Sequence, residues 1–103
     1  MAGVGKILKQ AQKMQKKMEV LQEELRGISV EGSAGGGAVK VVFNGHTELT
    51  SLQLDPEFLK EDKTLVEETI ATAIREGISK AKALNESKMQ EATAGFQLPG
   101  LFG

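Results

Sequence analysis

Five lysines stand close together near the start of the chain: Lys6, Lys9, Lys13, Lys16 and Lys17. At about 100° per residue, the first four fall on one stripe of an α-helix, and Lys17 lies beside it. The first acidic residue is Glu19, so no opposite charge relieves the repulsion within the stripe. An anionic partner explains this pattern better than a solvated face, on which charges of both signs usually alternate.

Several kinds of anionic partner fit a lysine stripe, and composition favours some of them over others. A helix on a membrane surface needs bulky apolar anchors, but this helix has Ala11 and methionines on its apolar side. Single-stranded nucleic acid is usually held by aromatic stacking, and the chain has no Trp or Tyr. Contact with the phosphates of double-stranded DNA is favoured. Duplex RNA stays open, because charge does not distinguish it.

The charge is sorted along the chain although the net charge is only −1. Residues 1–26 carry six basic and three acidic side chains, whereas residues 55–79 carry three basic and seven acidic ones. Lys80, Lys82 and Lys88 follow as a second basic group. We expect these three lysines near the far end of a helical arm, close to the N-terminal stripe.

Other residues of chemical interest favour structural roles. Gly35-Gly36-Gly37 lacks the Gly-Lys-Ser/Thr ending of a phosphate loop. His46 is predicted to be an exposed loop residue, and the acids Glu67 and Glu68 complement a helix dipole. With no cysteine and no recognisable nucleophile and base, we expect no enzyme, no metal, no cofactor and no small-molecule substrate.

The lysines belong to a first helix, from near Gly3 to Arg26, with a regular apolar repeat. Apolar side chains recur three and four residues apart, which is the seam that a helix presents to a partner helix. Gly27 is expected to end the helix. The seam consists of Val4, Ile7, Ala11, Met14, Met18, Leu21, Leu25 and Ile28.

Residues 28–55 predict three antiparallel strands. The first covers about Ile28 to Ser33, and the second alternates Val39, Val41 and Phe43 with polar residues. Asn44-Gly45 predicts a two-residue hairpin, because both residue types tolerate positive φ. The third strand covers about Thr47 to Leu54, with Leu52 and Leu54 on one face.

Residues 56–94 predict a short turn followed by a long helix, with Asp62 near its cap. Leu65, Ile70, Ile74 and Ile78 follow helical spacing. This helix, nearly 50 Å long, is about twice the length of a seven-residue strand. Its second half must therefore pack on the first helix, and the two would project from the sheet as an arm. Residues 95–103 predict an irregular apolar tail.

The motifs together resemble the YbaB/EbfC family of bacterial nucleoid-associated proteins. They are KQAQKMQKKMEVLQEEL, a glycine-rich turn, VKVVFNG, LDPEFL, a long helix and GFQLPGLFG, in this order over essentially the whole chain. The resemblance implies one domain with an α+β fold of order α-β-β-β-α, and an intertwined homodimer whose arms grip duplex DNA. It also implies a bacterial cytoplasmic and nucleoid location, an architectural or regulatory role, and no catalysis. By position, the DNA contacts would be Lys6, Lys9, Lys13, Lys16 and Lys17, with Lys80, Lys82 and Lys88 further along.

A homodimer is also expected from the residues, because a chain this short cannot cover all its apolar surface. The alternative function is a protein-interaction adaptor that uses the methionine-rich seam and the apolar tail. No stretch is long and apolar enough to predict a membrane span, and no signal peptide is predicted at the N-terminus.

Overall fold

A computed structural model describes residues 2–94, with side chains from Gly3 onward. Helix α1, Ala2–Gly27, is followed by the strands β1, Ser29–Ala34, β2, Val39–Asn44, and β3, Leu49–Leu54. A short 3-10 helix, Phe58–Lys60, precedes helix α2, Lys63–Thr93. The predicted α-β-β-β-α order is confirmed. The predicted apolar tail at 95–103 lies outside the described residues.

The three strands form one antiparallel sheet in the order β1-β2-β3. Val39, Val41 and Phe43 are buried beneath α2, in one cluster with Ala73 and Ala81. The alternation in β2 therefore predicted the buried face correctly. The strand bounds were less accurate: β1 begins at Ser29 rather than at Ile28, and β3 begins at Leu49 rather than near Thr47.

A hairpin joins β2 and β3, but it is not the two-residue hairpin predicted at Asn44-Gly45, since β2 ends at Asn44 and β3 begins only at Leu49. The reason given for it, positive φ at these two residues, is also wrong. Thr47, and not Asn44 or Gly45, has a positive φ, of 64°. Gly45 is needed because α1 lies directly against it: a Cβ there would stand 2.6 Å from the carbonyl oxygen of Leu25. The glycine permits a close approach of two backbones instead of a left-handed turn.

A second close approach brings α2 onto the sheet. Gly32 of β1 faces Gly77 of α2, and a Cβ on Gly32 would lie 2.6 Å from the backbone nitrogen of Gly77. A Cβ on Gly77 would lie 2.5 Å from the ring of Phe43. The helix can therefore rest on the sheet almost backbone to backbone, with Phe43 filling the space beside Gly77.

Helix α2 begins as the sequence predicts. The Asp62 side chain caps its first turn by accepting a hydrogen bond from the Thr64 N–H at 3.2 Å. The helix then runs past the end of the sheet and meets α1, which lies antiparallel to it. Leu21 and Leu25 of α1 are buried there against Ala92, with Met18 and Met89 beside them.

The apolar seam of α1 is only half covered, which differs from the prediction. Leu21 and Leu25 are 5% and 0% exposed, whereas Val4 and Ile7 are 54% and 60% exposed. The physical reason is length. With Leu21 beside Ala92 and α2 ending at Thr93, α1 continues for about 28 Å beyond the contact. The resulting molecule is elongated, with extents of 71 × 24 × 16 Å.

The contact of Gly77 with Phe43 gives a test of the fold. Gly77→Ala should lower the free energy of unfolding by about 1 to 3 kcal/mol, because the new methyl group displaces the Phe43 ring. This loss should exceed the gain of about 1 kcal/mol in helix propensity. Gly27→Ala is the matched control, since a Cβ there meets nothing within 4 Å. Urea unfolding followed by circular dichroism measures both; equal stability of the two variants would contradict the close packing.

Candidate nucleic-acid interface

The predicted lysine stripe lies on the projecting part of α1. Lys6, Lys9, Lys13 and Lys16 are exposed, and within residues 2–94 none of them forms an ion pair. From Lys6 to Lys16 the stripe covers about 15 Å along the helix axis. Four ammonium groups therefore stand free along one side of a helix that is itself largely surrounded by solvent.

The end of the helix adds to this positive surface. The first turn of α1 contains no acidic residue, so no side-chain charge compensates the positive end of the helix dipole. The nearest acids on α1 are Glu19, Glu23 and Glu24, at the other end, and Glu23 is paired with Arg26 at 3.3 Å. The electrostatic potential should become more positive towards the tip of the arm.

Lys80 does not lie towards the far end of the arm, so that prediction is wrong. Its ammonium group is 2.9 Å from Glu76 and donates a hydrogen bond of 3.1 Å to the carbonyl oxygen of Glu31 in β1. The pair holds the pKa of the Glu76 carboxyl below its usual value, mainly through the hydrogen bond and the charge of Lys80. Burial acts against Lys80 and raises this pKa, whereas the backbone N–H of Ser33 lowers the pKa by a smaller amount. The reason for the error is that α2 already crosses β1 at this turn.

Lys82 and Lys88 occupy different surroundings from Lys80. Lys82 is exposed on α2, and Lys88 is half-buried and 3.6 Å from Glu91. Lys88 and Lys17 lie at the rim of a shallow depression of about 220 Å³ between the two helices. Lys88 of the second group therefore shares this depression with Lys17 of α1. The depression is lined by Lys17, Val20, Leu21, Glu24, Lys88, Glu91 and Ala92.

The base of the arm holds polar residues that the sequence did not single out. His46 is partly buried rather than fully exposed, and its Nε2 lies 2.9 Å from the carbonyl oxygen of Gln22 in α1. Asn85 of α2 donates a hydrogen bond of 2.9 Å to the carbonyl oxygen of Gly45. A possible signal was the polar Asn85 directly after Leu84, within the apolar pattern of α2.

Other kinds of site find no support in the described residues. No group of His, Cys, Asp or Glu among residues 2–94 is arranged to hold a metal ion. No helix in the same part of the chain is long and apolar enough to cross a membrane. Glu67 and Glu68 are both exposed at the start of α2. The lysine stripe is thus the strongest candidate for a binding surface.

The fold and this stripe together define a sheet-anchored helical arm with an exposed cationic face. The sequence profile of the YbaB/EbfC DNA-binding family matches residues 1–96, and the chain belongs to this family. The family is one of nucleoid-associated DNA-binding proteins rather than an enzyme family. The resemblance found in the sequence motifs is therefore confirmed.

Individual relatives agree over nearly the whole chain. A nucleoid-associated protein of Pelotomaculum thermopropionicum is 44% identical over 100 residues, which cover 96% of this chain and 95% of the relative. One of Caldanaerobacter subterraneus is 40% identical, covering 96% and 90%. The crystal structure of an uncharacterized protein of Helicobacter pylori superimposes with a TM-score of 0.71 at 29% identity, covering 94% of this chain and 97% of that one.

The Glu76–Lys80 pair gives a prediction about pH. Because the pKa of Glu76 is lowered in the folded chain, its contribution to stability is complete above the usual glutamate range and is lost as the pH falls through the lowered pKa. Glu76→Gln should thus unfold at slightly lower urea than the parent at pH 7, and the difference should disappear in acid. The effect is small because the pair is partly exposed. Glu67→Gln, on an exposed residue of the same helix, should show no such difference; identical curves for both variants would contradict the proposed pairing.

Proposed function

We propose that the protein binds double-stranded DNA as a homodimer, through the lysine stripes of two projecting α1 helices. The observation that carries this proposal is the exposed row Lys6, Lys9, Lys13 and Lys16, unpaired within residues 2–94, on a helix that extends beyond the rest of the fold. Membership of a DNA-binding family supports the same partner. The role is architectural or regulatory, without catalysis, and the site of action is the nucleoid in the cytoplasm.

The geometry of the stripe suits phosphate contact along a duplex. Duplex DNA carries about one negative charge per 1.7 Å of its axis, so a stripe of about 15 Å faces several phosphates at once. Lysines are point charges on flexible stems and carry little information about base sequence. Contacts of this kind place a protein on DNA without selecting a sequence. Lys17 and Lys88 extend the cationic surface towards the base of the arm, and Lys82 contributes from α2. Lys80, also on α2, serves mainly to hold α2 to β1 through the Glu31 carbonyl.

The two edges of the sheet differ, and the difference indicates that the second protomer would meet the outer edge of β3. At the β1 edge, Lys80 binds the Glu31 carbonyl and Glu76 accepts from the Ser33 N–H, so α2 already occupies backbone groups of this edge. Within residues 2–94, no side chain gives the outer edge of β3 similar cover. An unpaired edge strand readily receives another chain.

Apolar side chains add to the case for β3. Leu52 faces the same side as the buried Val41, its partner in the register, but remains 45% exposed because α2 does not extend over β3. Leu49, opposite Phe43, is 48% exposed. The other side of the sheet is more polar, since Val42 lies between Glu31 and Ser51. A second copy placed against β3 would cover these leucines, and because each is already about half buried, its complete burial contributes about 1 kcal/mol.

The lysine stripe is tested by removing charge without altering the core. The double substitution Lys9→Gln with Lys13→Gln should lower affinity for duplex DNA by roughly two orders of magnitude at low salt. In a dimer four ammonium groups are lost, so the slope of log affinity against log salt should decrease by about 3 to 4. Stability should change little, because both side chains are exposed. Fluorescence anisotropy with labelled duplexes of several sequences measures both quantities.

The matched control changes the same amount of charge elsewhere. Lys40→Gln with Lys63→Gln alters two exposed lysines on the sheet and at the start of α2. We expect its salt slope to stay close to that of the parent. Equal losses of DNA affinity in the two double variants would mean that overall charge, and not the lysine stripe, determines the affinity. Affinity that does not depend on salt would instead favour the protein-interaction adaptor.

The dimer surface is tested with two neighbouring residues of β3. The parent should have the mass of two 11.0 kDa chains in light scattering at micromolar concentration. Leu52→Glu should shift the protein towards the monomer, because it places a charge on the apolar side of β3. Gln53→Glu introduces the same charge opposite Lys40, on the other side of the sheet, and should remain dimeric. A dimeric Leu52→Glu variant would place the interface elsewhere.

A further inference from the structure

The turn between β2 and β3 touches both helices of the arm at its base. The Gly45 N–H donates a hydrogen bond of 2.8 Å to the Leu25 carbonyl oxygen, one of the last carbonyls of α1. His46 Nε2 lies 2.9 Å from the Gln22 carbonyl oxygen, one turn earlier on the same helix. From the other side, Asn85 of α2 donates to the Gly45 carbonyl at 2.9 Å. Residues 44–48, called here the hairpin turn, thus join the two helices to the sheet.

The hairpin turn is internally braced. Buried Asn44 accepts hydrogen bonds through Oδ1 from the backbone N–H groups of His46, at 2.9 Å, and Glu48, at 3.1 Å. Its Nδ2 donates to the Glu48 carboxylate at 2.9 Å. Gly45 has no room for a Cβ, because Leu25 stands against it. Because the hairpin turn is held at so many points, it keeps α1 and α2 in a fixed orientation relative to the sheet.

The length of the arm makes this joint important. Lys6 lies about 24 Å along α1 from Gln22, so a tilt of about 10° at the base moves it by about 4 Å. That displacement is comparable with the width of about 6 Å of the DNA minor groove. Small changes at the hairpin turn therefore decide whether the lysine stripe meets phosphates or the space between them.

We infer that the hairpin turn is a lock that sets the direction of the arm, with His46 and Asn85 as positioning residues for DNA contact. The part of this inference that concerns DNA contact rests on the proposed function. Neither side chain touches DNA in this scheme; each holds a helix to the same turn. A carbonyl oxygen only accepts hydrogen bonds, so the hydrogen bond to Gln22 requires a proton on Nε2 of His46.

Loosening the lock has a signature that differs from removal of a lysine. An arm that samples several directions presents the binding-competent one for less of the time, and the apparent affinity falls by that fraction. The same phosphates are contacted once binding occurs, so the salt slope stays unchanged. Loss of one hydrogen bond of ordinary net strength corresponds to a reduction in affinity of about two- to tenfold.

The experiment measures the direction of the arm directly. The sequence has no cysteine, so Gln12→Cys on α1 and Gln53→Cys on β3 provide two unique sites for spin labels. Labelled chains are mixed with excess unlabelled protein, so that each assembly contains one labelled copy. Double electron–electron resonance then gives the distribution of distances between arm and sheet. We expect a narrow distribution in the parent, and a broader one in His46→Ala and in His46→Ala with Asn85→Ala.

Two further variants separate the lock from general damage. His46→Gln keeps a donor that can reach the Gln22 carbonyl, and should restore both the narrow distribution and the affinity. Gln22→Ala removes only an exposed side chain and keeps the carbonyl, so it should behave as the parent does. DNA affinity and salt slope are measured on the same proteins, after thermal unfolding confirms that each is folded.

The outcomes are distinct. An unchanged distribution in the double variant would overturn the lock. A broadened distribution with unchanged affinity, or a reduced salt slope, would overturn the positioning role. If the parent itself shows no salt-dependent binding to duplex DNA, the proposed function fails together with the positioning role. The distances then still decide whether the hairpin turn sets the direction of the arm.

Discussion

The close approach of Gly32 and Gly77 is the contact on which the rest of the arrangement depends. It places α2 almost directly on the backbone of β1, with the Phe43 ring beside Gly77. A helix held this tightly over β1 cannot also cover β3, and Leu49 and Leu52 therefore remain exposed. This one contact thus determines which part of the sheet α2 covers and which part stays exposed.

The same placement of α2 organises the polar contacts along its length. One turn after Gly77, Lys80 reaches the Glu31 carbonyl at the β1 edge. Two turns after Gly77, Asn85 reaches the hairpin turn. Near the end of the helix, Ala92 packs on Leu21 and fixes the position of α1. The contacts of α2 with the β1 edge, with the hairpin turn and with α1 therefore follow one another along this helix, and a shift of α2 would disturb all three.

The sequence predicted the elements well because their signals are local. Apolar alternation in β2 and the regular seam of α1 depend on residues close in the chain, and so does the cap at Asp62. The position of Lys80 was not predictable in this way, because it depends on a contact with Glu31, far away in the sequence. The role of Gly45 was misjudged for the same reason: its environment is formed by Leu25 of another element. The exposure of Lys6, Lys9, Lys13 and Lys16 needed only the helical period, so the predicted stripe agrees with the fold.

The arm combines two requirements that a compact domain could not meet together. Repulsion among the lysines of the stripe is weakest where water surrounds and screens them, whereas a helix in water gains little stability without tertiary contacts. Anchoring only the second half of α1, through Leu21 and Leu25, satisfies both, because the buried half stabilises the helix and the free half carries the charge. The direction of such a helix is fixed only if the residues at its anchored end are held in place. The contacts of Gly45 and His46 with the Leu25 and Gln22 carbonyls provide this support at the hairpin turn.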